Sequence, residues 1–122
     1  MIVRGLLELG DHFAISASSV ISFYKHISFG RDIQFSWDCL VMDSDTHYIF
    51  NEKGCVINKN KEIVFGDNIW IGYRTTVLKG SLIPNNCVIG ANSLVCGSKF
   101  EPSTIVAGSP ATSIKKIRGF KI

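Results

Sequence analysis

The chain has 122 residues, 46% of them hydrophobic, and a formal net charge of +3. A chain of this size can bury a core of its own, and no apolar run reaches the roughly 18 residues that a membrane span needs. The only tight basic cluster, Lys115 to Lys121, has Phe120 as its one aromatic, so we expect neither nucleic-acid binding nor membrane insertion.

The N-terminal ten residues lack the basic segment, long apolar stretch and small-residue cleavage site of a secretory signal. This favours a cytoplasmic location. The four cysteines form no CxxC or CxxH spacing, so we expect reduced, structural thiols and no metal.

An apolar residue recurs at every sixth position through most of the chain. The register holds across a gap between Val41 and Phe65 that is itself a multiple of six. Because six is also a multiple of the strand period of two, these side chains share one side of extended segments, whereas a helix would scatter them. The column comprises Phe23, Phe29, Phe35, Val41, Phe65, Ile71, Val77, Ile83, Ile89 and Val95.

A second column, mostly of small or β-branched residues, follows four positions later. Gly66, Gly72 and Gly90 come directly after the first column, where a left-handed or tight backbone favours glycine. Stacked strand-and-bend units of this kind form a parallel β-helix, with about 18 residues in each three-sided turn. We therefore expect an all-β single domain, residues 1–122, of roughly five to six turns. The second column comprises Ile27, Ile33, Cys39, Ile69, Thr75, Ser81, Cys87 and Ser93.

Two places interrupt the repeat. Before Phe23 the frame is two residues out of phase, which predicts a small insertion or bulge near residues 16–20 in a short N-terminal part. Between Val41 and Ile63 the frame is lost, which predicts a loop over about residues 43–62 that leaves the prism.

The predicted loop carries Asp43 and Asp45 shortly before His47. Loops on a rigid scaffold often carry catalytic residues. An imidazole can accept a proton from a nucleophile while a carboxylate fixes its tautomer, so His47 is a candidate general base with Asp45 or Asp43 as its partner. From spacing alone, an Asp-rich turn with a solvated histidine is the alternative.

Five blocks of the sequence, in order, carry recognisable motifs: residues 33–38, 42–47, 66–72, 88–93 and 106–111. They resemble the hexapeptide-repeat acyltransferases, which have a left-handed parallel β-helix, and in particular the branch of maltose, galactoside and capsular-saccharide O-acetyltransferases. The resemblance covers about residues 23–118. It implies a β-helix with one projecting loop and a short C-terminal cap.

The resemblance also implies a reaction. Acetyl-CoA would be the donor, lying between subunits of a homotrimer, and His47 would assist direct attack by a saccharide hydroxyl. The backbone N–H of Tyr73 would stabilise the oxyanion. The implied substrate contacts are Trp37, Asp38, Asp43 and Trp70. The implied donor contacts are Gly72, Tyr73, Gly90, Ala91, Asn92, Lys99, Lys115 and Lys116.

Other functions stay open at this point. An amino sugar as the acceptor, giving N-acetylation, is one alternative. A noncatalytic β-helical scaffold or binding protein is favoured by the departure from the family pattern at Cys96-Gly97, where Lys99 replaces or displaces a donor-site lysine. A β-helical zinc carbonic anhydrase needs three convergent histidines, and His12, His26 and His47 occupy different repeat positions, which weighs against it.

Overall fold

The structure is a computed structural model that describes residues 5–121; residues 1–4, part of the segment searched for a secretory signal, and residue 122 lie outside this range. No helix among the described residues is long and apolar enough to cross a membrane. The strands are β1 (Leu6–Leu9), β2 (Phe13–Ile15), β3 (Val20–Ser22), β4 (His26–Phe29), β5 (Ile33–Phe35), β6 (Leu40–Met42), β7 (Ile63–Phe65), β8 (Ile69–Ile71), β9 (Thr76–Leu78), β10 (Leu82–Ile83), β11 (Cys87–Ile89), β12 (Leu94–Cys96), β13 (Thr104–Gly108) and β14 (Ala111–Lys116).

The strands wrap into a three-sided parallel β-helix. The first sheet has the order β1-β4-β7-β10, the second β14-β13-β11-β8-β5-β2 and the third β12-β9-β6-β3. The first corner joins the first and second sheets, the second corner joins the second and third, and the third corner leads from the third sheet back to the first.

The predicted parallel β-helix is confirmed, but the predicted five to six turns are too many. Strands β1 to β12 form four complete turns within the described residues, and β13 begins a fifth. Two segments do not contribute to the predicted number of turns. The segment between Met42 and Ile63 leaves the helix, and β14 folds back antiparallel on β13 as a C-terminal cap.

Both predicted columns point into the prism. From Ile27 to Val95 every member is buried, with at most 4% of its surface exposed, whereas Phe23 is 40% exposed and outside the column. Phe29 stacks on Phe65 with ring centroids 4.4 Å apart, so aromatic rings fill the lower part of the core. The six-residue period thus identified the interior of coils two to four.

The irregularity in the first coil lies later than predicted. Ile21 pairs with Val41, and β1 and β2 pair with β4 and β5 at the same shift of 20 residues, whereas β8 and β11 are shifted by 18. Because the shift is already constant through β3, the two additional residues follow that strand. They lie at the third corner, residues 23–25, and not at residues 16–20.

Of the two expected reasons for glycine after the first column, the tight backbone applies and the left-handed backbone does not. Gly66, Gly72 and Gly90 are not left-handed; a Cβ on Gly72 would lie 2.6 Å from the carbonyl oxygen of Ile89 in the next coil, so close stacking requires glycine there. The left-handed residues are mostly polar and stand two positions further on. At the first and second corners they are His12, Ser18, Asp32, Asp38, Asn68, Arg74, Asn86, Asn92 and Ser103.

The first coil is open at its lower end. Its inward-facing side chains have no coil beneath them among the described residues, so Leu9 is 50% exposed and Ile15 45% exposed. Phe13 is half-buried, and its ring centroid lies 5.1 Å from that of Phe29.

An imidazole ties this coil to the next. His26 Nε2 bonds the Glu8 carboxylate and His26 Nδ1 lies 3.3 Å from Glu62 Oε2, and the Glu8 hydrogen bond, followed by Glu62, raises the pKa of His26. Because the pKa of His26 is higher in the folded than in the unfolded state, protonation of His26 stabilises the fold. This stabilisation is complete at a pH below the unfolded-state pKa and is lost as the pH rises through the folded-state pKa.

We expect the His26→Gln variant to be less stable than the parent at about pH 5 and equally stable at about pH 9. Because the two carboxylates are largely exposed, the difference at low pH should stay under about 1 kcal/mol. Urea unfolding at both pH values measures it. A difference that is equal at the two pH values would mean that the ion pairs do not stabilise the first coil.

Candidate active site

The projecting segment between β6 and β7 leaves the prism at the third corner. It forms a hairpin, with an antiparallel bridge between Phe50 and Val56. Asn58 closes the base of this hairpin: its Oδ1 accepts the N–H of Ile49 at 2.7 Å, and its Nδ2 donates to the carbonyl of His47 at 2.8 Å. A single amide side chain therefore fixes the backbone on both sides of Tyr48, directly after His47.

The His47 imidazole is exposed and has one hydrogen-bond partner in the described chain. Its Nδ1 lies 3.0 Å from Thr46 Oγ1, and that hydroxyl donates to the carbonyl of Asp45 at 2.7 Å. Nε2 has no hydrogen-bond partner among residues 5–121, so it is available to an incoming hydroxyl. The expected carboxylate partner of the imidazole is replaced by a threonine hydroxyl.

Asp45 anchors the hairpin to the prism. Its Oδ2 accepts hydrogen bonds from Lys79 Nζ and, at 2.9 Å, from Asn58 Nδ2, and these bonds, that from Lys79 first, lower the pKa of Asp45. Lys79 also donates to the carbonyl of Asn58 at 2.9 Å. The carboxylate predicted to orient His47 by direct contact instead holds the loop that carries it.

Asp43 lies entirely inside the molecule. Its carboxylate accepts the backbone N–H groups of Tyr24, Lys25 and His26 at 2.7, 2.9 and 2.7 Å, and the residue is 0% exposed. These amides belong to the corner with the two additional residues. Asp43 closes that corner, so the predicted substrate contact is not available to it.

We expect the Asn58→Ala variant to loosen the hairpin without unfolding the prism. The amide of Ile49 loses its acceptor, so its hydrogen exchange should accelerate roughly tenfold, which corresponds to one net hydrogen bond of about 1.4 kcal/mol. Amide exchange followed by NMR measures this. Asn60→Ala in the same loop is the matched control, and equal acceleration in both variants would contradict the role of Asn58.

A second group of predicted residues lies at the second corner. Trp37, Tyr73 and Ala91 stack there on successive coils, directly after the paired strands β5, β8 and β11. None of their three backbone N–H groups has an acceptor within residues 5–121. The Tyr73 amide thus has its hydrogen free for an acceptor, a property that its neighbours above and below share.

Beside this corner the outer face of the second sheet forms a pocket of about 310 Å³. Its walls include Trp37, Trp70 and Phe120, with the rings of Trp70 and Phe120 6.1 Å apart, and Trp70 Nε1 donates to Ser36 Oγ at 3.2 Å. Flat apolar rings with hydroxyl and amide groups between them suit a ligand that has both apolar faces and polar edges. The remaining lining residues are Ser16, Gln34, Phe35 and Lys121.

Asp38 is already paired at the second corner. Its Oδ2 accepts from Arg74 Nε at 3.0 Å, and this hydrogen bond raises the pKa of Arg74. The guanidinium lies over the ring of Tyr73, 5.4 Å from the centroid. A substrate hydroxyl that binds Asp38 therefore has to share the carboxylate with Arg74.

The predicted donor contacts do not form one site in a single chain. Gly72, Tyr73, Gly90, Ala91 and Asn92 gather at the second corner. Lys99 lies past the third corner, in a bridge with Leu82. Lys115 and Lys116 pair with Ile105 and Thr104 at the start of β13, near the first corner, where Lys116 Nζ donates to the carbonyl of Pro102 at 3.0 Å.

His47 and Tyr73 are also separated. His47 follows β6 and Tyr73 precedes β9, and these strands are parallel neighbours in the third sheet. The two residues thus stand at opposite ends of three-residue strands, roughly 10 Å long. The candidate base and the candidate oxyanion donor of one chain therefore do not meet across this sheet.

The three histidines do not converge on a metal. His12 pairs with Asp32 at 3.0 Å, His26 with two glutamates and His47 with Thr46. No group of three potential metal ligands occurs within the described part of the chain.

Sequence reasoning missed Thr46, Asn58, Lys79 and Phe120. Asn58 lies in the projecting segment, which has no repeat, and Lys79 lies after that segment. Phe120 follows the region of resemblance. A usable signal existed for the pocket, because Gln34 and Trp70 alternate with buried residues and pair across β5 and β8.

No protein-family model matches the chain. WbbJ of Escherichia coli K12, which is named as a lipopolysaccharide biosynthesis O-acetyl transferase, is 31% identical over 123 residues, which cover 93% of this chain and 62% of WbbJ. The polySia-specific acetyltransferase NeuO has a TM-score of 0.81 and 25% identity, over 95% of this chain and 54% of that one.

A hexapeptide-repeat acetyltransferase of Vibrio cholerae, VCA0836, was solved in complex with acetyl-CoA. It has a TM-score of 0.76 and 23% identity, over 92% of this chain and 61% of that chain. The chain spans less than two thirds of the length of each of these three proteins. The resemblance expected from the five sequence blocks is thus confirmed: the chain is similar to the hexapeptide-repeat acetyltransferases and has their left-handed parallel β-helix fold.

Proposed function

We propose that the protein transfers an acetyl group from acetyl-CoA to a hydroxyl of a saccharide. The observation that carries the proposal is His47, whose Nδ1 is tied to Thr46 while Nε2 points free from an anchored loop. The name of WbbJ supports O-acetylation in lipopolysaccharide biosynthesis, the name of NeuO supports a polysialic-acid acceptor, and the VCA0836 complex supports acetyl-CoA as donor.

In the proposed reaction the acceptor oxygen attacks the thioester carbonyl while its proton passes to His47 Nε2. The new C–O bond forms a tetrahedral intermediate whose oxyanion accepts the N–H of Tyr73. The C–S bond then breaks, and the CoA thiolate takes the proton back from the imidazolium. No covalent enzyme intermediate is required.

The acceptor would bind the aromatic pocket, with Trp37 and Trp70 against the apolar faces of the sugar and Ser36 at its hydroxyls. The donor would extend along the second corner, where Gly72, Gly90 and Ala91 keep the surface flat for a narrow pantetheine chain. Lys99, Lys115 and Lys116 are then proposed phosphate contacts that a neighbouring copy or an extended CoA would bring into use.

A homotrimer is part of the proposal because the site is incomplete in one chain. The hairpin exposes large apolar side chains, with Tyr48 63%, Phe50 60% and Ile57 60% exposed, and Trp37 at the second corner is 59% exposed. Docking the hairpin of one copy on the second corner of the next would bury both groups and unite His47 with Tyr73. Light scattering after gel filtration tests the assembly.

The location proposed for the enzyme is the cytoplasm. All four cysteines are free thiols, and Cys39 and Cys87 are buried, with desolvation raising the pKa of each. Unpaired cysteines are typical of a reducing compartment.

The experiment is release of CoA thiol from acetyl-CoA, followed with Ellman's reagent, in the presence of neutral sugars, amino sugars and sialic-acid oligomers. We expect release that depends on a neutral or sialic-acid saccharide, with an ester product by mass spectrometry. Release only with an amino sugar, giving an amide, would replace the proposal by N-acetylation. No acceptor-dependent release would leave the scaffold function.

A further inference from the structure

Thr46 stands in a backbone conformation that β-branched residues rarely adopt. Its φ is 61°, in the left-handed region, and unlike the other left-handed side-chain-bearing residues of the described chain it does not lie at a coil corner. Its N–H donates to Ser44 Oγ at 3.0 Å, and Ser44 is only 5% exposed. The strained turn is thus held in place from the buried side.

The conformation places the Thr46 hydroxyl between two groups. Oγ1 lies 2.7 Å from the carbonyl oxygen of Asp45 and 3.0 Å from His47 Nδ1. Two oxygens at 2.7 Å need a hydrogen between them, and the carbonyl has none to give, so the single hydroxyl hydrogen goes to Asp45. Nδ1 must then donate to Oγ1 and carry the hydrogen of the neutral ring.

We infer that Thr46 is a positioning residue that selects the Nδ1–H tautomer of His47 and so leaves the lone pair on Nε2. The inference rests on the proposed function, in which Nε2 is the base. It gives the strained turn at this β-branched residue a role: the left-handed turn aims the hydroxyl at both partners at once.

No carboxylate hydrogen-bonds the His47 ring in the described structure. Asp45 is engaged by Lys79 and Asn58, and Asp43 is buried on three backbone amides. A hydroxyl whose own hydrogen is committed to a carbonyl is a pure acceptor toward the ring, which is the property that a tautomer-selecting carboxylate supplies elsewhere.

The test compares Thr46→Val, which removes the hydroxyl but keeps the branched shape, with Thr46→Ser, which keeps the hydroxyl. Nitrogen-15 NMR of the ring, assigned with His47→Gln, reports which nitrogen is protonated. We expect the Nδ1–H form in the parent and in Thr46→Ser, and a shift toward Nε2–H in Thr46→Val. Thr112→Val, at an exposed position on β14, is the matched control and should leave the spectrum unchanged.

In the transfer assay Thr46→Val should lower kcat roughly tenfold, the size of one net hydrogen bond, with KM nearly unchanged. Thr46→Ser should restore most of the rate. A parent spectrum dominated by Nε2–H, or a Thr46→Val spectrum identical to the parent, overturns the inference. Because the spectrum is recorded without substrates, it decides the tautomer even if no transferase activity is found.

Discussion

Replacing His47 with glutamine should lower kcat/KM for acetyl transfer roughly 10²- to 10⁴-fold, the contribution typical of a general base. Glutamine fills a similar volume and can still hydrogen-bond, but it cannot take the acceptor proton. The loss should fall on kcat, since the imidazole lies on a loop beyond the aromatic pocket. Steady-state kinetics with the best acceptor of the panel measure it.

The matched control is His12→Gln. His12 is exposed at the first corner and pairs with Asp32, away from the hairpin and from the pocket. Its replacement should change kcat/KM less than twofold, which is smaller than the effect of losing one net hydrogen bond. Equal rate losses in the two variants would show that His47 is not the base. An unchanged melting temperature in both would confirm that the fold is intact.

The second large effect is on stability. Replacing Asp43 with alanine should lower the free energy of unfolding by about 2–4 kcal/mol, because three backbone N–H groups at the irregular third corner lose a charged acceptor. The amides of Tyr24 and Lys25, which precede β4, have no other acceptor in the described chain. Urea unfolding measures the difference.

Asp11→Ala is the control for this variant. Asp11 is an exposed aspartate of the first coil whose side chain has no hydrogen bond in the described range. Its loss should stay within about 0.5 kcal/mol, as is usual for surface substitutions. An Asp43→Ala protein with the same urea midpoint as the parent would mean that water hydrogen-bonds the N–H groups of residues 24–26 as well as the carboxylate does.

The two aspartates also show how far the sequence predicts the site. Asp43 and Asp45 share a residue type and stand two positions apart, yet one is buried under a corner and the other clamps a loop. What separates them is their partners, the amides of residues 24–26 for Asp43 and Lys79 for Asp45. Such long-range partners leave no periodic trace in the chain.

The fold was more accessible because its signal is repeated. Each coil buries the same two columns, so Ile71, Val77 and Ile89 have the same buried environment. The same pattern therefore occurs many times along the chain. The irregular corner at residues 23–25 was misplaced, since a constant shift between strands becomes visible only when the pairing is known. The hairpin could be located as a gap in the repeat, but the Thr46 turn inside it could not.

The open lower end of the first coil has a consequence for length. In a solenoid each coil contacts only the coils above and below it, so the position of the hairpin and of the second corner depends on their immediate neighbours. Extra coils could be stacked beneath Leu9 and Ile15 without displacing His47 or Trp70. The height of the column and the arrangement of the hairpin and the second corner are therefore separable in this architecture.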